Sequence, residues 1–341
     1  MSSITVGSLC TGIAGLDHAL ALAGLDTTPA FVSEIDPHAS RWLADNVDAP
    51  NLGDFTQLDA LPDCDILTAG FPCQGQSQAG KRKGIDDDRW LWPDIERVVG
   101  GMGTRPVLFL ENVPGLLSAN GGHAMADVVH GLARLGYQFA YGVLSAADVG
   151  APHLRKRWWC VARHAESERG EPVETSSRTR RTQRATREPN RTAPTNSDGW
   201  ERDRRQRTTR GQTQPRATPS WGSEAVVTNS SSVRLQQPGQ QTPLNASRQT
   251  DPRSRSNADR FAGYGPAFAR WETILGRPAP DPTTDGRLSA EFVEWMMGYP
   301  QGWVTGGDMS RRQALKALGN AVVPQCAAHA FTQLAQRLEN K

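Results

Sequence analysis

Cys73 stands between Pro72 and Gln74, directly after the apolar run Asp65 to Phe71. A thiolate is a strong nucleophile, but a lone cysteine is more often a buried small hydrophobe, so its company decides the reading. Glu111 opens Glu111-Asn112-Val113-Pro114 immediately after Val-Leu-Phe-Leu, another strand end, from which a carboxyl can share a cleft with Cys73 or merely cap the next segment. His153, Arg155 and Arg157 alternate along Ala-Pro-His-Leu-Arg-Lys-Arg-Trp-Trp. If that stretch is extended, their side chains fall on one face, where two guanidiniums can hold a phosphate or a pyrimidine carbonyl, or simply edge a surface.

A second set of residues suits a nucleoside. Gly12 and Gly15 lie in Ser8-Leu9-Cys10-Thr11-Gly12-Ile13-Ala14-Gly15, between a first strand and a first helix, where small residues let backbone amides approach a ligand. Glu34 ends the next apolar strand roughly 20 residues downstream, a position from which a carboxylate accepts both hydroxyl protons of a ribose. Asp54, followed by Phe55, can accept from an adenine amine with the ring alongside, or be a solvated turn aspartate.

These residues need a scaffold that delivers strand ends to one place. Ile4–Leu9, Phe31–Ile35, Asp65–Phe71, Val107–Glu111, Gln138–Leu144 and Trp158–Val161 read as strands. Between them, Leu16, Ala19, Leu20 and Ala23, then Met125, Val128, Val129 and Leu132 ahead of Gly136, follow helical spacing, and Pro37 suits a helix start. Strand and helix alternation of this kind predicts an α/β class: a doubly wound, Rossmann-like, mostly parallel sheet. Near the C-terminus, a helical pattern ends at Gly276, Ser289 caps another helix, Ser310 and Gln313 form a capping box, and Pro324 opens a last helix with Ala327, Phe331, Leu334 and Leu338 on one face.

At 341 residues, 37% hydrophobic and 22% charged, the chain can bury a sizeable core and carry a second, smaller domain. No apolar run approaches a membrane span and the N-terminus lacks a secretory pattern, so a cytoplasmic protein is expected. Five cysteines without a C-x-x-C pair suggest neither a disulfide framework nor a metal cage. The net charge of +2 conceals an asymmetry, because residues 166–260 hold 18 Arg against 11 acids and no Lys. That segment is rich in Arg, Thr, Ser, Gln and Pro and poor in aliphatics, which predicts disorder over 166–257 and a surface that can meet a polyanion. Stretches beginning at Ala165, Thr195 and Thr228 hint at a degenerate repeat of roughly 30 residues.

Taken in order, the Gly-rich loop, Glu34, Pro72-Cys73-Gln74, Glu111-Asn112-Val113, Arg155-x-Arg157, a variable stretch and Gly319-Asn320 resemble the cytosine-C5 DNA methyltransferase family. The resemblance covers residues 4 to about 162 and 287–330. It implies a class I S-adenosylmethionine-dependent fold, with the catalytic and cofactor domain at 1–164 plus 310–341 and a target recognition domain at 165–309. It further implies that Leu9, Cys10, Gly12, Gly15, Glu34, Asp54, Phe55 and Asn320 hold the methyl donor. Cys73, Glu111, Arg155 and Arg157 become the catalytic set: thiolate attack at C6 of a flipped-out cytosine, an acid at N3, and guanidiniums at O2. Pro72, Gln74, Ser77, Lys81 and Arg82 are expected to meet DNA, together with base-reading residues near Tyr264, Arg270 and Trp271. Four departures stand out: Ser8 replaces an acid, Cys10 the aromatic that lies on the donor adenine, Ala14 a glycine, and His153 a glutamine.

Duplex DNA is the expected partner, a cognate restriction endonuclease a further one, and a monomer the expected state. The same chemistry on tRNA is the nearest alternative, followed by a catalytically silent nucleic-acid-binding module. A nicotinamide oxidoreductase fits less well, because the loop lacks a full G-x-G-x-x-G and that reading leaves Pro-Cys-Gln and Glu-Asn-Val unexplained.

Overall fold

Six apolar runs form one sheet: β1 (Ile4–Leu9), β2 (Thr27–Ser33), β3 (Ile66–Gly70), β4 (Val107–Asn112), β5 (Tyr137–Ser145) and β6 (Lys156–His164). They are seen in a computed structural model that describes residues 3–72, 90–165 and 261–340. Spatial order is β2-β1-β3-β4-β6-β5. The first four strands run parallel, and β6 alone is reversed, pairing antiparallel with both β4 and β5. The expected mostly parallel, doubly wound α/β sheet is what forms.

Alternation along each strand assigns the two faces. Leu108 and Leu110 of β4, with Trp158 and Cys160 of β6, pack under α3 (Trp92–Gly100) and α4 (His123–Arg134). Phe109 of β4 and Trp159 and Val161 of β6 point the other way, into the core shared with α1 (Gly15–Leu22) and α2 (Pro37–Asn46). Because side chains two residues apart share a face, Glu111 and Arg157 project on the Phe109–Trp159 side.

Local chemistry starts and stops the helices as the sequence suggests. Asp36 accepts from the His38 and Ala39 amides ahead of Pro37, so α2 begins where its proline has no N–H to lose. Gly136 (φ 79°) follows α4 in the left-handed region. Gly276 (φ 65°) likewise closes α5 (Gly265–Leu275), and Ser289 caps α6 (Ala290–Met296). The Ser310–Gln313 capping box opens α7 (Arg311–Asn320), and α8 (Pro324–Glu339) buries Ala327, Leu334 and Leu338 on the sheet.

Residues 261–309 are joined to the sheet by one apolar core: Phe268, Trp295, Tyr299 and Val304 belong to the same buried cluster as Val6, Leu16 and Phe109. Trp271 is part of it. Expected as a base-reading residue, it is fully buried and its indole donates to the Trp295 carbonyl at 3.0 Å, so it packs α5 against α6. Truncating a tryptophan so placed costs about 3–5 kcal/mol. Among the described residues no helix is long and apolar enough to cross a membrane. The stretch 166–257, with its expected disorder and repeats, lies outside the described residues.

Candidate active site

The carboxyl ends of β1–β4 border a cleft of about 950 Å³. Its lining brings together Leu9, Cys10, Gly12, Gly15, Glu34, Asp54 and Phe55 from the first half of the chain, Pro72, Glu111 and Arg157 from the centre, and Asn320 from the end of α7. Cys73 follows Pro72 in the chain and, with Gln74, Ser77, Lys81 and Arg82, lies outside the described residues.

Glu34 is held by main chain alone. Oε2 accepts from the Gly12 amide at 2.8 Å, and Oε1 from the Ile35 and Asp36 amides at 2.9 and 2.8 Å. A carboxylate has about four lone-pair sites, so capacity remains for a ligand hydroxyl. Asp54 takes both the Thr56 amide and hydroxyl on Oδ1, at 3.0 and 2.7 Å, and the adjoining Phe55 ring is buried. Cys10, Gly12 and Ala14 all sit at positive φ (51°, 59° and 56°). Ala14 therefore keeps the loop's shape at a conformational cost of roughly 1–2 kcal/mol. Burial, with Glu34 and Asp54 nearby, pushes the Cys10 thiol up to about 12, so at neutral pH it is a protonated apolar contact.

Beneath the loop, Thr68 donates to Ser8 and Ser8 donates to Asp17. Burial pushes the Asp17 carboxyl up to about 6. The acid missing at position 8 is thus met by a hydroxyl that passes a hydrogen bond to an acid one turn into α1.

Glu111 is held differently. Arg157 Nε lies 2.7 Å from Glu111 Oε1, with both side chains largely buried. Burial raises the Glu111 pKa above the usual carboxylate value, against the opposing pull of Arg157 and Arg155. The adjacent Asn112 donates from Nδ2 to the Phe71 carbonyl at 3.0 Å and accepts from the Val113 amide, tying the end of β4 to the residue before Pro72. Its place in Glu-Asn-Val was the only sequence signal for this role.

His153, Arg155 and Arg157 do not share one face. β6 starts only at Lys156, and Arg155 (φ 20°) turns away before it. Its guanidinium donates to the carbonyls of Gly319 and Ala321, on either side of Asn320, while His153 Nε2 contacts the Met296 carbonyl at 2.9 Å. Arg155 therefore fixes the backbone that presents Asn320, and Arg157 alone reaches the cleft. Tyr264 and Arg270 are exposed and lie apart from the cleft lining.

Sequence reasoning missed a rim formed across the two ends of the chain. Lys316 Nζ pairs with Asp36 at 2.6 Å, and Gln313 contacts His38 at 2.9 Å while its Oε1 serves the cap of α7. The capping box located α7, but no local pattern signals that it lies over α2. Among the described residues no cluster of His, Cys, Asp or Glu could hold a metal ion.

With this geometry established, the sequence profile of the C-5 cytosine-specific DNA methylase family matches residues 4–336. The chain belongs to that family. Among curated relatives, the family member is 38% identical over 158 residues to the type II methyltransferase M.MspI of Moraxella sp, which is 45% of this chain and 37% of that protein. It is 39% identical over 158 residues to M.NlaX of Neisseria lactamica (45% and 50%) and 36% over 156 residues to M.HhaI of Haemophilus parahaemolyticus (45% and 47%). The chain thus spans half or less of the length of these relatives in the matched regions. Its fold matches the crystal structure of the S. pombe Dnmt2 methyltransferase with a TM-score of 0.55, covering 98% of this chain and 99% of the other at 19% identity. The Entamoeba histolytica methyltransferase EhMeth gives 0.54, covering 99% of each chain at 14% identity.

Proposed function

We propose that this protein transfers a methyl group from S-adenosylmethionine to C5 of a flipped-out cytosine in a specific duplex DNA sequence. The observation that carries the reading is the buried Glu111–Arg157 pair, in the same cleft as the Glu34–Gly12 loop and beside Pro72. Family membership supports the chemistry.

The cleft residues fit the donor. Glu34 accepts from ribose hydroxyls, Asp54 from the adenine amine, and Leu9, Cys10 and Phe55 give apolar contact. Gly12 and Gly15 let backbone approach, and Asn320 completes the wall. When bound, S-adenosylmethionine supplies an electrophilic methyl group.

The remaining work falls to the chain. Cytosine C5 is a poor nucleophile until a thiolate adds to C6, so Cys73 makes that bond and the ring electrons move to C5. Glu111, kept protonated more readily by its burial, supplies the hydrogen bond or proton at N3. Arg157 has N–H groups beyond the one given to Glu111 and offers them to the pyrimidine O2. C5 would take the methyl group, the donor's sulfonium leaving as a neutral thioether; C5 would then lose its proton to water as the Cys73–C6 bond breaks, the ring double bond re-forming and the N3 proton returning to Glu111. Arg155 acts at one remove, through the backbone around Asn320. Base extrusion costs roughly a few kcal/mol, offset by contacts assigned to Gln74, Ser77, Lys81 and Arg82.

In this proposal residues 1–164 and 310–341 do the chemistry and 165–309 read the sequence, with Tyr264 and Arg270 as exposed contact residues. A cognate restriction endonuclease is the proposed biological partner, in keeping with the type II relatives. The test is incubation with methyl-labelled S-adenosylmethionine and either mixed-sequence duplex DNA or a tRNA pool. The expected result is labelled 5-methylcytosine in duplex DNA. Label confined to tRNA would move the substrate, and donor binding without label in either would leave a binding module.

A further inference from the structure

A turn outside the proposed donor-binding residues is built into the floor of the donor loop. Residues 299–305 follow α6 and belong, in sequence, to the stretch assigned to DNA recognition. Yet the Trp303 indole donates to the Ile13 carbonyl at 3.0 Å, in the middle of the Gly-rich loop. The Trp303 carbonyl in turn accepts from the Trp42 indole of α2 at 2.7 Å. The ring packs against His18 of α1, Trp42 and Tyr299, with centroids 4.8, 5.6 and 5.7 Å away. Tyr299 is fully buried, and its hydroxyl occupies the space that a β-carbon at position 15 would need. Gly15 is therefore required by its neighbour from below as much as by any ligand above.

The turn itself is rigid because of one carboxylate. Glu294 of α6 is 1% exposed and accepts from the amides of Gly302, Val304 and Thr305 at 2.7, 2.8 and 3.1 Å, and from the Thr305 hydroxyl. A buried carboxylate so saturated fixes backbone that would otherwise be free to move. The path is continuous: Glu294 sets the turn, the turn sets Trp303, and Trp303 sets Ile13 between the cleft-lining Gly12 and Gly15.

We propose that Trp303 is a positioning residue for the methyl donor, acting through the Ile13 carbonyl, with Glu294 as its anchor. This rests on the reading of the cleft as the donor site. The loop it holds contains two non-glycine residues at positive φ, Cys10 and Ala14, so the strained conformation needs an external brace.

The test uses the full chain and measures S-adenosylmethionine binding by calorimetry, alongside methylation kinetics and melting temperature. Trp303→Phe keeps an aromatic ring but removes the N–H donor together with part of the indole's packing surface, a loss of surface that the control below shares. Losing one buried hydrogen bond to the loop should weaken donor affinity about five-fold and raise the donor KM alike, with kcat at saturating donor unchanged. Trp271→Phe is the control, since its indole donates to the Trp295 carbonyl in the same core rather than to the loop. It should lower the melting temperature and leave donor affinity alone. A folded Trp303→Phe protein with wild-type donor affinity overturns the proposal, as does an equal loss of affinity in Trp271→Phe. If Trp303→Phe does not fold, Trp42→Phe removes the brace on the Trp303 carbonyl instead. It should weaken donor binding about two-fold, and an unchanged affinity there overturns the proposal equally. Absence of donor binding by the unaltered protein would instead remove the reading of the cleft on which this rests.

Discussion

Two carboxylates face one cleft and are held in opposite ways. Glu34 is gripped by three main-chain amides, all from residues within 22 positions of it. Glu111 is gripped by the guanidinium of a residue on a different, reversed strand, away from water. Main-chain grips orient a charge with little dependence on any other side chain. An ion pair taken out of water is a balance of large terms, which is how burial can lift the Glu111 pKa despite a cation at 2.7 Å. The Glu34 half of the cleft is thus suited to binding and the Glu111 half to moving a proton.

The sharpest way to break this division is to remove the acid. Glu111→Gln should lower kcat by about 10²–10⁴-fold while calorimetric donor affinity stays at the wild-type value. A fall in donor affinity of similar size would merge the two halves into one. Next in size, Glu34→Ala should weaken donor binding by about 10- to 100-fold, with kcat recovered at saturating donor. A kcat deficit that persists at saturation would mean that Glu34 acts in the chemical step as well.

The smallest effect concerns stability, beneath the Gly12 loop. Asp17 binds protons more tightly in the folded chain, with a pKa near 6 against 3.8 for the free carboxyl. The folded state therefore carries the extra proton between those values, so Asp17 favours folding at low pH and that contribution is lost as pH rises from about 4 through 6. Urea unfolding of the wild type should show this decline superimposed on other titrations, and Asp17→Asn should flatten the curve over that window. An identical slope in both proteins would assign the decline elsewhere.

Much of the scaffold was legible because its signals are local. β1 begins and ends at Ile4 and Leu9 as its apolar run suggests, and the caps at Ser289 and Ser310 need only residues three positions apart. Leu9, Cys10 and Glu34 were placed on the cleft for the same reason, since each sits at or just past the end of a recognisable strand. What escaped is what depends on distant neighbours or direction. Period-two alternation reads the same in either direction, so nothing in Trp158–Val161 announced that β6 is antiparallel. Alternation also suggested that Arg155 continues the face of Arg157, whereas the chain turns before Lys156 to serve the carbonyls of Gly319 and Ala321. Trp271 could equally well have been a surface aromatic until its partner, 24 residues away, was known.

The reversal of β6 separates two demands on the sequence. Its first residues lie beside the carboxyl end of β4, where Asn112 pairs with Trp158, while its last residue, His164, pairs with Tyr137 at the opposite edge of the sheet. The chain therefore enters the variable stretch from the side of the sheet remote from the cleft. The Glu111–Arg157 pair is thus made entirely within paired strands, at the opposite end of β6 from the point where the chain leaves it.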